Sequence, residues 1–251
     1  MSPSSQQKQR KPEEVKAIKY RGRLNAAQAA AGINAALRNA KRLLTDATLL
    51  FQSGSYATAA ALAVLAIEEN GKYGIIPRIL LAKNDRQRNE HWKEYTSHEA
   101  KNTTSIIPSL VRGGATSVDD FKIMTDANSI HPYVLDDFKH WGFYTECRTG
   151  DNWSEPHNSI EAETAFKLLQ TAHSLIRNVR EVTDEQMAVY VKHMSPVWAD
   201  DHRNADPEKV RNALKVYMIE CQQRGWMEND ANVEDFFRAN KSPQSTPVNK
   251  E

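Results

Sequence analysis

The sequence predicts an all-α protein: a helical bundle with a smaller helical C-terminal appendage. Three observations predict it. Nine consecutive apolar residues, Ala59 to Ile67, form a run with no polar face, as expected of a helix in the middle of a fold. Amphipathic patterns with apolar residues at steps of three and four flank that run on both sides. No segment shows convincing β alternation, and no internal repeat is present.

Residues 1–22 are polar and basic and are expected to be disordered. Residues 1–23 carry seven Lys or Arg against two Glu, a local net charge of +5 in a chain whose formal charge is only +1. A solvated, mobile terminus is one reading, and a contact with RNA or a membrane surface is the other. The bundle is placed at residues 23–182. Its first helix covers residues 24–51, with Ile33, Leu37, Ala40, Leu44, Ala47 and Phe51 as the stripe. Gly54 and Ser55 break it. The buried helix follows over residues 56–71, and Pro77 is expected to kink or restart the chain.

Asn84 and Asp85 read as a turn. The next helix carries Trp92, Tyr95, His98 and Lys101 at steps of three, with His91 seven residues before His98, and Pro108 is expected to end it. Residues 112–119 read as a polar loop and 133–143 as a short helix. Residues 144–157 read as an irregular or extended segment packed on the bundle, with Trp92, Trp141 and Trp153 as packing anchors. Ser159 is expected to cap a helix with Ala165, Leu168, Leu169, Ala172, Leu175, Ile176 and Val179 on its apolar face. A helical extension is placed at residues 183–240, with patterns over 183–194, 206–223 and 233–239. Residues 241–251, polar with two prolines, are expected to be disordered.

Two cysteines, Cys147 and Cys221, and no signal-peptide pattern suggest a reducing, cytoplasmic setting without a disulfide framework. The apolar run is too short to span a bilayer, so no membrane partner is expected. The chain has no CxxC pair and no HExxH, so neither a metal nor a cofactor is expected.

The candidate chemistry begins where the buried helix runs into Glu68, Glu69 and Lys72. A buried carboxylate needs cationic or hydrogen-bonding partners. His98 and Lys101, one turn apart on a later helix, can supply them, and Tyr144, Arg148 and Trp153 form a third candidate group. Histidine can also move a proton near neutral pH. Structural ion-pair network and active or binding site are both open on the residues alone. Arg86 and His91 have Arg-x4-His spacing, of the kind used by metal-independent helical ribonucleases, against a bland reading as a solvated turn. The candidate catalytic set is therefore Glu69, His98, Lys101, Arg86 and His91.

The block from Ser55-Tyr56-Ala57-Thr58-Ala59 to Ile67-Glu68-Glu69-Asn70-Gly71-Lys72 resembles the signature of the AbiV family of bacterial abortive-infection proteins, a Tyr/Ala-rich helix ending in Glu-Glu-x-Gly-Lys. Trp92 followed by Ser97-His98-Glu99-Ala100-Lys101 is similar to its aromatic-then-His-x-x-Lys helix. Phe143-Tyr144-Thr145-Glu146 with Trp153-Ser154-Glu155-Pro156 is similar to its Leu-Tyr-Val-Asp…Trp-x-x-Pro segment, with Thr145 and Glu146 in place of Val and Asp. The resemblance implies a HEPN-like helical bundle, frequently dimeric, acting in defence against phage by arresting host processes such as translation. A homodimer, a phage-encoded activator, and RNA or the translation machinery are the partners it implies. Many HEPN proteins are ribonucleases, so a metal-independent ribonuclease is one mechanism. Binding without catalysis is another. The alternative outside this class is a scaffold protein whose Glu/Lys/His cluster is structural.

Overall fold

The structure, a computed structural model, describes residues 19–112, 130–148, 152–198 and 206–227. The bundle is built around one helix. Helix α1 (Ala26–Gln52) starts at an Asn25–Gln28 capping box and turns at Gly54, whose φ of 82° suits glycine. Helix α2 (Tyr56–Leu81) is the hub, packing against α1, α3 (Asp85–Thr96), α4 (His98–Arg112), α5 (Ile130–Phe143) and α7 (Ala162–Ile176). Its alanines, Val64 and Ile67 are fully covered, while Leu62 and Leu65 are half-buried against the same core. The all-round apolar pattern therefore has the central position it calls for.

Pro77 neither stops nor restarts α2, which runs through it to Leu81. Ile75, Ile76, Ile79 and Leu81 are all buried around it, and that packing outweighs the lost backbone hydrogen bond.

The long helix expected from Trp92 to Lys101 is two helices. Ser97, in extended conformation, ends α3, and its hydroxyl accepts the Ala100 amide at 3.2 Å, capping α4. His91, Trp92, Tyr95, His98 and Lys101 therefore do not share a face. Pro108 does not end α4, which continues to Arg112. Ser159 does not cap α7 either: it closes the one-turn helix α6 (Pro156–Ser159), and Glu161 is the cap. Six of the seven apolar residues expected along α7 are buried in it; Val179 lies beyond its end at Ile176 and is only partly buried against the core.

Residues 144–157 hold a two-stranded antiparallel ribbon, β1 (Cys147–Arg148) with β2 (Asn152–Trp153), pairing Cys147 with Trp153. Trp153 is 68% exposed, so it is not a packing anchor. Trp92 is one: its indole N–H donates to the Gly22 carbonyl at 3.1 Å, and Tyr20 meets its ring edge-on.

Two helices of the C-terminal extension are described. Helix α8 (Asp184–Met194) has a Thr183–Gln186 capping box and sets Met187 among Ala29, Ala30 and Ile33 of α1. A 3-10 turn (Ser195–Val197) leads on towards α9 (Pro207–Gln223). Glu220 of α9 holds α8 through Lys192 and His193 at 2.8 and 2.6 Å. The loop at 112–119, apart from Arg112 in α4, the helix at 233–239, residues 1–18 and the tail at 241–251 lie outside the described residues.

Candidate functional site

The site forms where α2, α4 and α5 meet, and glycine makes the meeting close. A β carbon on Gly71 would stand 1.9 Å from the Lys101 carbonyl oxygen, and one on Gly142 of α5 would stand 2.4 Å from the Ala57 carbonyl oxygen. Only glycine lets α4 and α5 lie directly on α2 at these points. The glycine of the Glu-Glu-x-Gly-Lys block thus sets the distance between that block and the His98 helix.

Glu68, 2% exposed, is the centre. Its Oε2 accepts from His98 Nδ1 at 2.6 Å and from Lys101 Nζ at 3.1 Å, and its Oε1 accepts from Lys139 Nζ at 3.1 Å. Lys139 also bonds Asp136, one turn back on α5, and His140 lies 3.6 Å from the same carboxylate. Burial pushes the Glu68 carboxyl towards protonation. The His98 hydrogen bond and the Lys101 and Lys139 ammonium groups outweigh it and hold the pKa below the ordinary 4.5. Asp136 is also lowered: partial burial opposes ionisation, and Lys139 overcomes it. Lys139 is raised, because its two carboxylate partners outweigh its own desolvation.

His98 differs from the two lysines. Its side chain is 52% exposed, while Lys101 and Lys139 are buried. With Nδ1 on Glu68, Nε2 is the nitrogen left for solvent or a substrate. A carboxylate that fixes one imidazole nitrogen and leaves the other available is the arrangement of an oriented proton-transfer group. Tyr144, exposed, packs its ring 5.5 Å from His140 on this rim.

Other expected site residues go elsewhere. Lys72 pairs with Glu69 at 2.5 Å, not with Glu68, and lies over the Tyr95 ring at 5.0 Å. Glu69 therefore belongs to a separate, mostly buried pair. Arg86 is 72% exposed and pairs with Glu90 at 3.1 Å on the surface of α3. His91 is 0% exposed and bonds Glu94, which also meets Arg78 at 3.4 Å. A fully covered imidazole cannot reach a phosphodiester, so Arg86 and His91 make no joint site in this arrangement. Trp153 sits on the exposed ribbon, and the Arg148 side chain lies outside the described residues.

Lys139, Asp136 and His140 escaped the sequence reading. The signal was there: Leu135, Lys139 and Gly142 recur at steps of four and three, which puts a lysine on the buried stripe of α5. Glu68, His98 and Asp136 bring ligand atoms within 4.8 Å of one another. Both Glu68 oxygens are already engaged by ammonium groups, so a divalent cation would have to displace Lys101 and Lys139. The donor set fits an ion-pair network better than a metal centre.

The HEPN_AbiV family model, described as AbiV, matches residues 28–177. The chain belongs to the AbiV family. The match runs from α1 through α7 and includes every member of the Glu68 cluster, while α8 and α9 lie beyond it. Membership carries a HEPN-like all-α fold and the setting of abortive infection against phage. No curated protein and no solved structure matches the chain. No helix among the described residues is long and apolar enough to cross a membrane.

Proposed function

We propose that this AbiV-family protein is an anti-phage effector that, on a phage trigger, arrests phage multiplication by acting on RNA or on translation in the cytoplasm. The observation that carries this reading is His98: a half-exposed imidazole held at 2.6 Å by a buried, ionised glutamate. A purely structural partner for Glu68 has no need of that exposure, because Lys101 and Lys139 already neutralise the carboxylate. In this reading His98 gives or takes a proton, or a hydrogen bond, at an RNA target without a metal. The family's frequent dimerism supports a homodimer, and a phage-encoded protein is the activator. Phage-challenged cells expressing the protein should stop incorporating labelled amino acids and survive as a population. Purified, activated protein incubated with RNA separates the mechanisms: cleavage makes it a ribonuclease, while intact RNA with arrest preserved makes it a binder.

One observation favours a second reading, a non-catalytic helical scaffold. The Glu68 carboxylate has two buried ammonium groups and the His98 imidazole around it, which suffices for a structural network. Unchanged phage yield in cells expressing the wild-type protein, with and without the phage trigger, would favour it.

A further inference from the structure

Cutting an RNA phosphodiester without a metal moves two protons: one leaves the attacking hydroxyl and one goes to the departing oxygen. His98 offers one imidazole with an open nitrogen, so a second group is needed beside it. Lys101 and Lys139 are buried and already engaged with carboxylates, so neither reaches a substrate.

His140 lies on the same rim. It sits in the last turn of α5, and its side chain is 46% exposed, close to the 52% of His98. Its Nε2 stands 3.6 Å from Asp136 Oδ2, a charge contact longer than a hydrogen bond, and its ring rests 5.5 Å from that of Tyr144. The same aspartate reaches the other imidazole: ligand atoms of Asp136, His98 and Glu68 all lie within 4.8 Å of one another. Partial burial raises the Asp136 carboxyl, Lys139 lowers it, and both imidazoles lower it further. The five groups form one chain, His98–Glu68–Lys139–Asp136–His140, with a carboxylate turned to each imidazole and a buried ammonium between the two. A bland role for His140 is a cation at the C-terminal end of a helix. That role accounts for its place in the last turn. It does not account for a carboxylate shared with the imidazole of the Glu68 cluster.

Resting on the reading of this protein as acting on RNA, we infer that His140 is the second proton-transfer group of the site and works with His98 on one phosphodiester. One imidazole, neutral, takes the proton of the 2′-hydroxyl as its oxygen bonds to phosphorus. The other, protonated, gives its proton to the 5′-oxygen as the bond from phosphorus to that oxygen breaks. The products are a 2′,3′-cyclic phosphate and a 5′-hydroxyl, and the two imidazoles end with their protonation exchanged.

RNA cleavage by the full-length protein, purified from phage-challenged cells, tests the assignment across pH. The wild-type rate is expected to be bell-shaped in pH. His98→Ala and His140→Gln are each expected to lose about 100- to 10,000-fold and one limb of the bell. The groups facing the two rings are Glu68 from α2, Lys101 from α4, and Asp136 and Lys139 from α5, and both variants retain all of them. His140 is half exposed, so His140→Gln is expected to keep the wild-type thermal midpoint within a few degrees. An oligonucleotide of the sequence the wild type cuts, with sulfur in place of the departing 5′-oxygen, assigns the roles. Sulfur leaves without a proton, so cleavage is expected to recover in the variant that lacks the acid and not in the one that lacks the base. Wild-type RNA cleavage matched by folded His140→Gln, with both limbs kept, overturns this inference alone. So does recovery by both variants or by neither. RNA left intact by the wild type removes the ribonuclease mechanism, and this inference with it.

Discussion

Gly71 and Lys101 touch backbone to backbone: a β carbon on the first would fall 1.9 Å from the carbonyl oxygen of the second. That contact sets how closely α4 lies on α2, and hence whether His98 and Lys101 reach Glu68. Gly71→Ala is therefore expected to act twice. It should destabilise the fold by about 1–3 kcal/mol or more, the usual cost of overpacking, because the obstacle is backbone rather than a side chain that can swing away. It should also loosen the Glu68 cluster. Chemical denaturation reads the first effect. The His98 imidazole resonances, moved towards solvent-like values, read the second. An unchanged denaturation midpoint would mean that α4 has room to retreat.

Glu68→Leu leaves Lys101 and Lys139 buried without their shared counter-ion, although Lys139 keeps Asp136. Breaking a buried pair in this way costs about 3–5 kcal/mol. Replacing Glu68 together with Lys101 by apolar residues should recover part of that loss, because no uncompensated charge is then left at that end. A double-mutant cycle measures the coupling directly.

The cluster also predicts a pH dependence. The Glu68 carboxyl is lowered in the folded state, so its ionisation stabilises the native form at pH above its ordinary 4.5. That stabilisation is lost as the pH falls below 4.5 and through the depressed native value, and Asp136 acts in the same direction from 3.8. Denaturation midpoints measured from pH 7 down to pH 3 should fall more steeply for the wild type than for Glu68→Gln. Parallel curves would show that Glu68 is not ionised by its neighbours.

Arg86→Ala is expected to change stability by less than about 0.5 kcal/mol, as is common for an exposed pair. Phage protection should also be unchanged. This separates the Glu68 site from the Arg-x4-His spacing. Loss of protection by a fully folded Arg86→Ala protein would return the catalytic role to α3.

What the sequence discloses and what it hides follows from the length scale of the signals. The central helix is legible because nine apolar residues in a row leave no face for solvent. The need for partners at Glu68 is legible for the same reason: the carboxylate continues a buried helix. His98 and Lys101 follow from their chemistry and spacing. Lys139 pairs with Glu68 across 71 residues, and no local pattern announces such a pairing. Only its place on an apolar stripe hints at it. The break at Ser97 is hidden in the sequence, because one serine capping the next helix is a weaker signal than a run of aromatics at steps of three. Pro77 and Pro108 misled for the opposite reason. Their local preference is strong, yet both α2 and α4 continue through them, and in α2 the packing around Pro77 overrides it. Glu69 took Lys72 from Glu68 because three residues along a helix serve as well as four, a choice that spacing cannot make.

The central claim is that Glu68 exists to hold His98 for use. Phage challenge of cells expressing His98→Ala, with the thermal midpoint of the purified variant measured alongside, tests it most directly. Lys101 and Lys139 still neutralise Glu68 in this variant, so the midpoint is expected to stay within a few degrees of wild type, the shift of about 1 kcal/mol or less. Protection is expected to vanish at equal levels of folded protein. Full protection by folded His98→Ala, or protection that declines only in step with the amount of folded protein, would contradict the claim and leave the cluster a structural network.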